Sequence, residues 1–320
     1  MQVKKKMFLF GLSFIMVAST FAQKYDVVVA QDGSGNYTTV QAAINAVPDL
    51  QEKRTRIYIK AGVYKEKLML PATKTNVSFV GEDAQKTVLT YDDFAAKQNS
   101  KGAEIGTSKS ASFFVNGNGF TAENITFENS SGPVGQAVAV RIDGDKVIFR
   151  NCRFLGFQDT LYPHGDKSRQ YYKNCYIEGT VDFIFGLSTA LFEDCTIFCK
   201  KQGYITAAST PESNPYGFVF RHCKITGSAP ACSFFLGRPW RPYAKVVFLE
   251  CELGNVINPQ GWHKWNNTQN DMTAYYAEYH NTGAGADTHQ RVNWSKILTS
   301  KDAKLYQTAT ILRDWKPQEK

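Results

Sequence analysis

Six segments of this chain carry one pattern: an apolar residue, mostly polar positions around a central Cys or Ile, then a second apolar residue. They are Ala122-Glu-Asn-Ile-Thr-Phe127, Phe149-Arg-Asn-Cys-Arg-Phe154, Tyr172-Lys-Asn-Cys-Tyr-Ile177, Phe192-Glu-Asp-Cys-Thr-Ile197, Phe220-Arg-His-Cys-Lys-Ile225 and Phe248-Leu-Glu-Cys-Glu-Leu253. The central positions Ile125, Cys152, Cys175, Cys195, Cys223 and Cys251 are 27, 23, 20, 28 and 28 residues apart. A fixed motif at uneven spacing is what a solenoid of strands produces, because loops of different length leave each coil while the core positions stack. Each segment reads as a strand, and few helical windows intervene. The expected fold is all-β, a parallel β-helix whose coils stack at roughly 4.8 Å.

Outside the repeat, Tyr25 to Val29 reads as a strand and Gln31 to Asn36 as a turn-rich loop. Thr38 or Thr39 caps a short helix over Val40 to Val47, which Pro48 stops. Arg56 to Ile59, Asn76 to Val80 and Thr87 to Thr90 read as strands, and Tyr91 to Thr107 as a polar surface excursion. From Trp262 onward the period fades, and a tail packed along the solenoid, with a helix from Lys301 to Tyr306, is expected.

The N-terminus reads as an export signal. Lys4, Lys5 and Lys6 precede an apolar run from Met7 to Ala18, and Thr20-Phe21-Ala22 places small residues around a cleavage point after Ala22. The run is too short for an ordinary membrane span. No cysteine precedes Cys152, so a lipid-modified cysteine in the leader is excluded. The expected organisation is a leader over 1–22 and one β-helical domain over 23–320, secreted or periplasmic, without a membrane anchor.

Losing the leader lysines lowers the formal charge from +8 to about +5. A mild positive balance suits an acidic polymer. With no arginine-rich run and no zinc-type Cys/His spacing, nucleic acid is not the expected partner. Five of the seven cysteines share one register, so a column of buried, mostly free thiols is expected, with a pairing such as Cys195 to Cys199 as the alternative.

Within the repeat, Asn151 to Tyr162 and Asn174 to Phe185 align without a gap and match at Asn, Cys, Gly and Asp. Asp159 and Asp182 therefore occupy one register on successive coils. Like charges that close cannot both ionise freely, so one acid and one anion are expected, an arrangement suited to acyl transfer. The alternative is a two-rung ladder of stacked side chains, a poor stabiliser when charged. No Gly-x-Ser-x-Gly occurs, and the five histidines are scattered, so serine-based hydrolysis lacks its signature. Gln158, beside Asp159, and Gln136, at the end of the previous coil, could supply amide donors to an oxyanion, structural hydrogen bonding being the ordinary alternative. Arg238 could hold one aspartate ionised through a bidentate contact, an ordinary surface arginine being the alternative. Trp240, Tyr162 and Phe185 offer flat faces for sugar rings, core packing being the ordinary alternative.

Five ordered segments, Gly62-Val-Tyr-Lys-Glu66, Gln136-Ala-Val-Ala-Val-Arg141, Gly156-Phe-Gln-Asp-Thr-Leu161, Asp182-Phe-Ile-Phe-Gly186 and Leu236-Gly-Arg-Pro-Trp240, resemble those of the pectin methylesterases. The resemblance runs from about Val27 to Trp294. It implies a right-handed parallel β-helix that hydrolyses the C6 methyl esters of polygalacturonate to pectate and methanol; a monomer is expected. It implies Asp182 as nucleophile, Asp159 as acid then base, Gln136 and Gln158 as oxyanion donors, and Arg238 as holder of the nucleophile. Trp240, Phe185 and Tyr162 match aromatic cleft positions, and no metal or organic cofactor is implied. A β-helical lyase would need an acidic calcium cluster, and a polygalacturonase a different aspartate set; neither pattern is present in the sequence. A non-enzymatic binding module would use the aromatic residues without the aspartates.

Overall fold

The computed structural model describes residues 25–317, so the leader expected over 1–22 lies outside the described residues. Every ladder between named strands is parallel, and the strands assemble into sheets of eleven, eight and seven. Each full coil contributes one strand to each sheet in turn. Tyr172, for example, lies in Arg169–Lys173 of the eleven-stranded sheet, followed by Tyr176–Gly179 in the eight-stranded and Ile184–Gly186 in the seven-stranded one. This is the parallel β-helix the repeat predicts, wound right-handed as parallel crossovers are.

The repeated motif is not a single strand, as its alternation suggests, but a corner between two. Asn124, Asn151, Asn174, Asp194, His222 and Glu250 all have φ between 51° and 56°. Each ends a strand of the eleven-stranded sheet and directs the chain into the eight-stranded one. Asn and Asp tolerate this left-handed region better than other non-glycine residues, which is why they recur there. Asn174 also donates to the Asn151 side chain across the rung, at 2.6 Å.

The motif's apolar positions point inward and stack. Phe149, Tyr172, Phe192, Phe220 and Phe248 form a column with ring centroids 5.2, 4.5, 4.5 and 4.3 Å apart. Beside it Cys152, Cys175, Cys195, Cys223 and Cys251 are buried, and all seven cysteines are free thiols, so the Cys195 to Cys199 pairing does not occur. A single apolar cluster runs inside the solenoid from Val29 to Tyr276.

The helix Val40–Ala46, capped by the Thr39 hydroxyl, buries Val40, Ala43 and Ile44 at the N-terminal end of the solenoid. At the other end the coiling continues past Trp262: Tyr275–Tyr279 and Lys296–Ile297 extend the eleven-stranded sheet. The fading period there reflects the loss of the corner motif, not of the sheet. The tail then turns through the helix Ser300–Ala303 and a 3-10 turn, Lys304–Tyr306. It lays Leu298, Tyr306, Ile311 and Leu312 on outward-facing Tyr171, Leu191, Val219 and Val247. Among the described residues no helix is long and apolar enough to cross a membrane.

Candidate active site

The paired aspartates sit at the second corner of each coil, where the chain enters the seven-stranded sheet. Leu161 and Ile184 are register partners in that sheet, and Asp159 N–H donates to the Val181 carbonyl at 3.1 Å, so Asp159 and Asp182 fall on one register of adjacent rungs. Both backbones are left-handed, with φ of 66° and 52°. That conformation costs energy at a non-glycine residue and tends to be retained where it aims a side chain. The matched glycines make room for these corners. A Cβ on Gly179 would lie 2.6 Å from the Phe157 carbonyl oxygen and closer still to the Phe183 side chain; one on Gly156 would lie 2.6 Å from the Thr160 hydroxyl.

The two carboxyl groups face a cleft of about 550 Å³ on the outer face of the seven-stranded sheet. All eight residues singled out from the sequence line it: Asp159, Asp182, Gln136, Gln158, Arg238, Trp240, Phe185 and Tyr162. Gln136 and Gln158 are bridged on neighbouring strands, one rung apart, and their amides have no hydrogen-bond partner among the described residues. Tyr162 and Phe185 stack at 4.0 Å and Trp240 stands 6.1 Å from Phe185, forming an aromatic wall.

The carboxyl groups have unlike surroundings. Arg238 grips Asp182 with two bonds, Nε to Oδ1 at 2.9 Å and Nη2 to Oδ2 at 2.7 Å. Its guanidinium is held between the rings of Tyr204 and Trp265, at 4.0 and 4.3 Å. Asp159 makes no side-chain hydrogen bond among the described residues and is 6% exposed. Burial pushes its pKa well above the ordinary carboxylate range; the Asp182 charge adds to this and Arg238 partly offsets it. Burial also raises Asp182, but its bonds to Arg238 and that residue's charge work against the rise. The asymmetry expected from like charges is therefore present with a different leading cause. Desolvation dominates, and one guanidinium favours the charged form at Asp182 over Asp159. A buried carboxyl that favours its proton, beside one held by a guanidinium, can donate a proton at one atom and attack at another.

Two features of the cleft escape the sequence reading. Trp265, outside the repeat, clamps Arg238 and approaches Trp240 at 6.4 Å. The end of the presumed surface excursion is a cleft wall, Ile105 to Lys109, rather than a bystander. It is pinned to the site, because Ala95 N–H donates to the Gln136 carbonyl at 2.9 Å and Arg141 Nη1 to the Ser108 carbonyl at 2.9 Å. Only Arg141, inside a recognised segment, could have signalled that tie. The histidines stay out of the cleft lining, and His164 instead bonds Asp143 at 2.6 Å on the flank of Tyr162.

Comparison with known proteins agrees with this architecture. The family model described as Pectinesterase matches residues 26–314. Pectinesterase 31 of Arabidopsis thaliana is 46% identical over 283 residues, covering 87% of this chain and 89% of that relative. The chain spans about half the length of several other curated relatives that it matches. Among solved structures, pectin methylesterase from carrot superposes with a TM-score of 0.82 at 38% identity, covering 90% of this chain and 93% of that one. A pectin methylesterase in complex with a hexasaccharide superposes with a TM-score of 0.80 at 28% identity, covering 92% and 98%.

Proposed function

This chain belongs to the pectinesterase family, which makes it a carboxylic ester hydrolase, and from that premise we propose how its cleft removes C6 methyl esters from polygalacturonate. Asp182, ionised in the grip of Arg238, attacks the ester carbonyl carbon. The carbonyl oxygen gains negative charge, and the amide N–H groups of Gln136 and Gln158, both in the cleft lining, donate to it. As the tetrahedral intermediate collapses, the bond to the methoxy oxygen breaks and Asp159 gives that oxygen its proton, releasing methanol. An anhydride between Asp182 and the uronate remains. Asp159, now a base, takes a proton from water while the hydroxide adds to the uronate carbonyl; collapse returns Asp182 as carboxylate and Asp159 as acid. The net change is ester plus water to acid plus methanol, and the steps draw on protein groups and water alone.

The observation that carries this reading is the asymmetry of the pair. Asp182 is held by two guanidinium bonds, whereas Asp159 is buried without a hydrogen-bond partner, which favours its protonated form. Trp240, Phe185 and Tyr162 line the cleft beside the carboxyls as an aromatic wall, suited to a sugar chain such as the hexasaccharide bound to a solved relative. The protein is proposed to act as a monomer after export and removal of residues 1–22, and the mass of the exported protein tests the cleavage point.

The experiment is methanol release from highly methylated pectin with calcium chelated. The wild-type chain releases methanol, and Asp182→Ala abolishes it while the far-ultraviolet circular dichroism is unchanged. Full activity in Asp182→Ala, or unsaturated products absorbing in the ultraviolet, would overturn the assignment.

A further inference from the structure

The eleven-stranded sheet changes character along its outer face. Under the C-terminal tail its outward side chains are apolar, among them Tyr171, Leu191 and Val219. The same row continues toward the N-terminus through Ile148, Thr121, Ser78 and Arg56, becoming polar where the tail no longer covers it. A groove of about 860 Å³ lies there, within the size range of small-molecule sites.

Three arginines face this groove, Arg54, Arg56 and Arg150, and none has a carboxylate partner among the described residues. Arg54 uses Nη1 on neutral oxygens, the Gly119 carbonyl at 2.8 Å and the Ser78 hydroxyl at 3.1 Å, leaving Nε and Nη2 without a bond. Arg150 donates to the Pro317 carbonyl, and the Arg56 side chain makes no hydrogen bond among the described residues. Glu82 and Glu123 also line the groove, but Glu82 Oε2 accepts the Ala61 N–H at 2.7 Å and neither carboxylate pairs with the three arginines. Burial, with the charges of Arg56 and Arg150, lowers the pKa of Arg54, and the three guanidinium groups outnumber the two carboxylates of the groove without pairing with them. Tyr58, stacked on Tyr25 at 4.7 Å, and Trp315 add ring faces.

We infer that this groove binds de-esterified polygalacturonate at a site on a different sheet from the catalytic cleft. The inference rests on the proposed function, because this polyanion is that reaction's product. Guanidinium groups pair with uronate carboxylates in forked geometry, and aromatic faces accept the sugar rings. A methylated stretch has no charge to offer and is left to the cleft. Holding a de-esterified segment raises the effective concentration of neighbouring esters at the cleft without new contacts there.

The test is calorimetric titration of the full chain with a purified, fully de-esterified galacturonate oligomer, beside methanol release from a short methylated oligomer. Arg56→Glu, at a side chain with no described bond, and the double variant Arg56→Glu/Arg150→Glu should each weaken oligomer binding by about tenfold or more. Methanol release should stay within about twofold of wild type, since neither residue touches the cleft. Trp240→Ala, which damages cleft binding, should leave the groove's titration in place. Unchanged oligomer affinity in both groove variants, loss of all binding in Trp240→Ala, or equal affinity for the methylated oligomer or a sulfated glucan would overturn the inference. A wild-type chain that binds the oligomer but releases no methanol would sink the functional reading and leave the groove standing.

Discussion

Removing Arg238 tests the division of labour between the two aspartates. In Arg238→Gln, Asp182 loses two bonds, of 2.9 and 2.7 Å, at a carboxylate whose side chain is 7% exposed. Truncating one member of a buried, hydrogen-bonded ion pair costs roughly 2–5 kcal/mol, and about 1.4 kcal/mol is tenfold. On the acid side of the profile, methanol release should therefore fall between about 30-fold and several thousandfold. The sign follows from the roles. Asp182 must be ionised to attack, and Arg238 opposes the rise that burial imposes on it, so its loss moves the acid limb to higher pH. Arg238 also offsets the rise at Asp159, so the alkaline limb, where the acid loses its proton, moves the same way. The whole bell should shift upward in pH and regain part of its height there. Arg238→Lys, which keeps charge but not the forked geometry, should shift it less. Initial rates of methanol release across pH decide it. A uniform fall with both limbs in place would show that Arg238 positions the site without setting the charge on Asp182, and the argument from asymmetry would fail.

Replacing Gln136 by Ala should lower kcat about 10²- to 10³-fold with little change in KM, since an oxyanion donor acts mainly in the transition state; steady-state kinetics with an unchanged kcat would remove it from the mechanism. Phe220→Ala opens a cavity in the ring column between neighbours 4.5 and 4.3 Å away and should cost about 3–5 kcal/mol, read as a lower midpoint in urea unfolding; a loss under about 1 kcal/mol would mean the column is not close-packed.

Much of the fold was legible because the solenoid writes its period into the chain. Cys152, Cys175 and Cys195 sit in one register because each follows a left-handed corner at Asn151, Asn174 and Asp194, and the motif is the local cost of turning that corner. The corner itself was misread as continuous strand, since alternation alone does not reveal a positive φ. The rungs at Tyr275–Tyr279 and Lys296–Ile297 were missed because their pairing needs only backbone groups, which leave no side-chain signature. The same distinction runs through the cleft. Its floor belongs to the repeat and could be read from Asp159 and Asp182, whereas Trp265 and the wall from Ile105 to Lys109 come from loops whose placement depends on tertiary contacts.

The floor's legibility has a physical basis that bears on the chemistry. A parallel solenoid sets equivalent side chains about 4.8 Å apart, so a corner repeated with the same residue puts two carboxyls side by side without a further device. Repetition alone makes them equivalent, and equivalent acids share one proton without assigning it. The assignment comes from a residue outside the duplicated stretch. Arg238, at the end of the next strand but one in the seven-stranded sheet, reaches the nearer Asp182 with both bonds and leaves Asp159 without one. Duplication supplies the pair, and the end of one strand breaks its symmetry. The rings of Tyr204 and Trp265 hold that guanidinium in place, so the polarity of the pair rests on the very residues that the repeat does not encode.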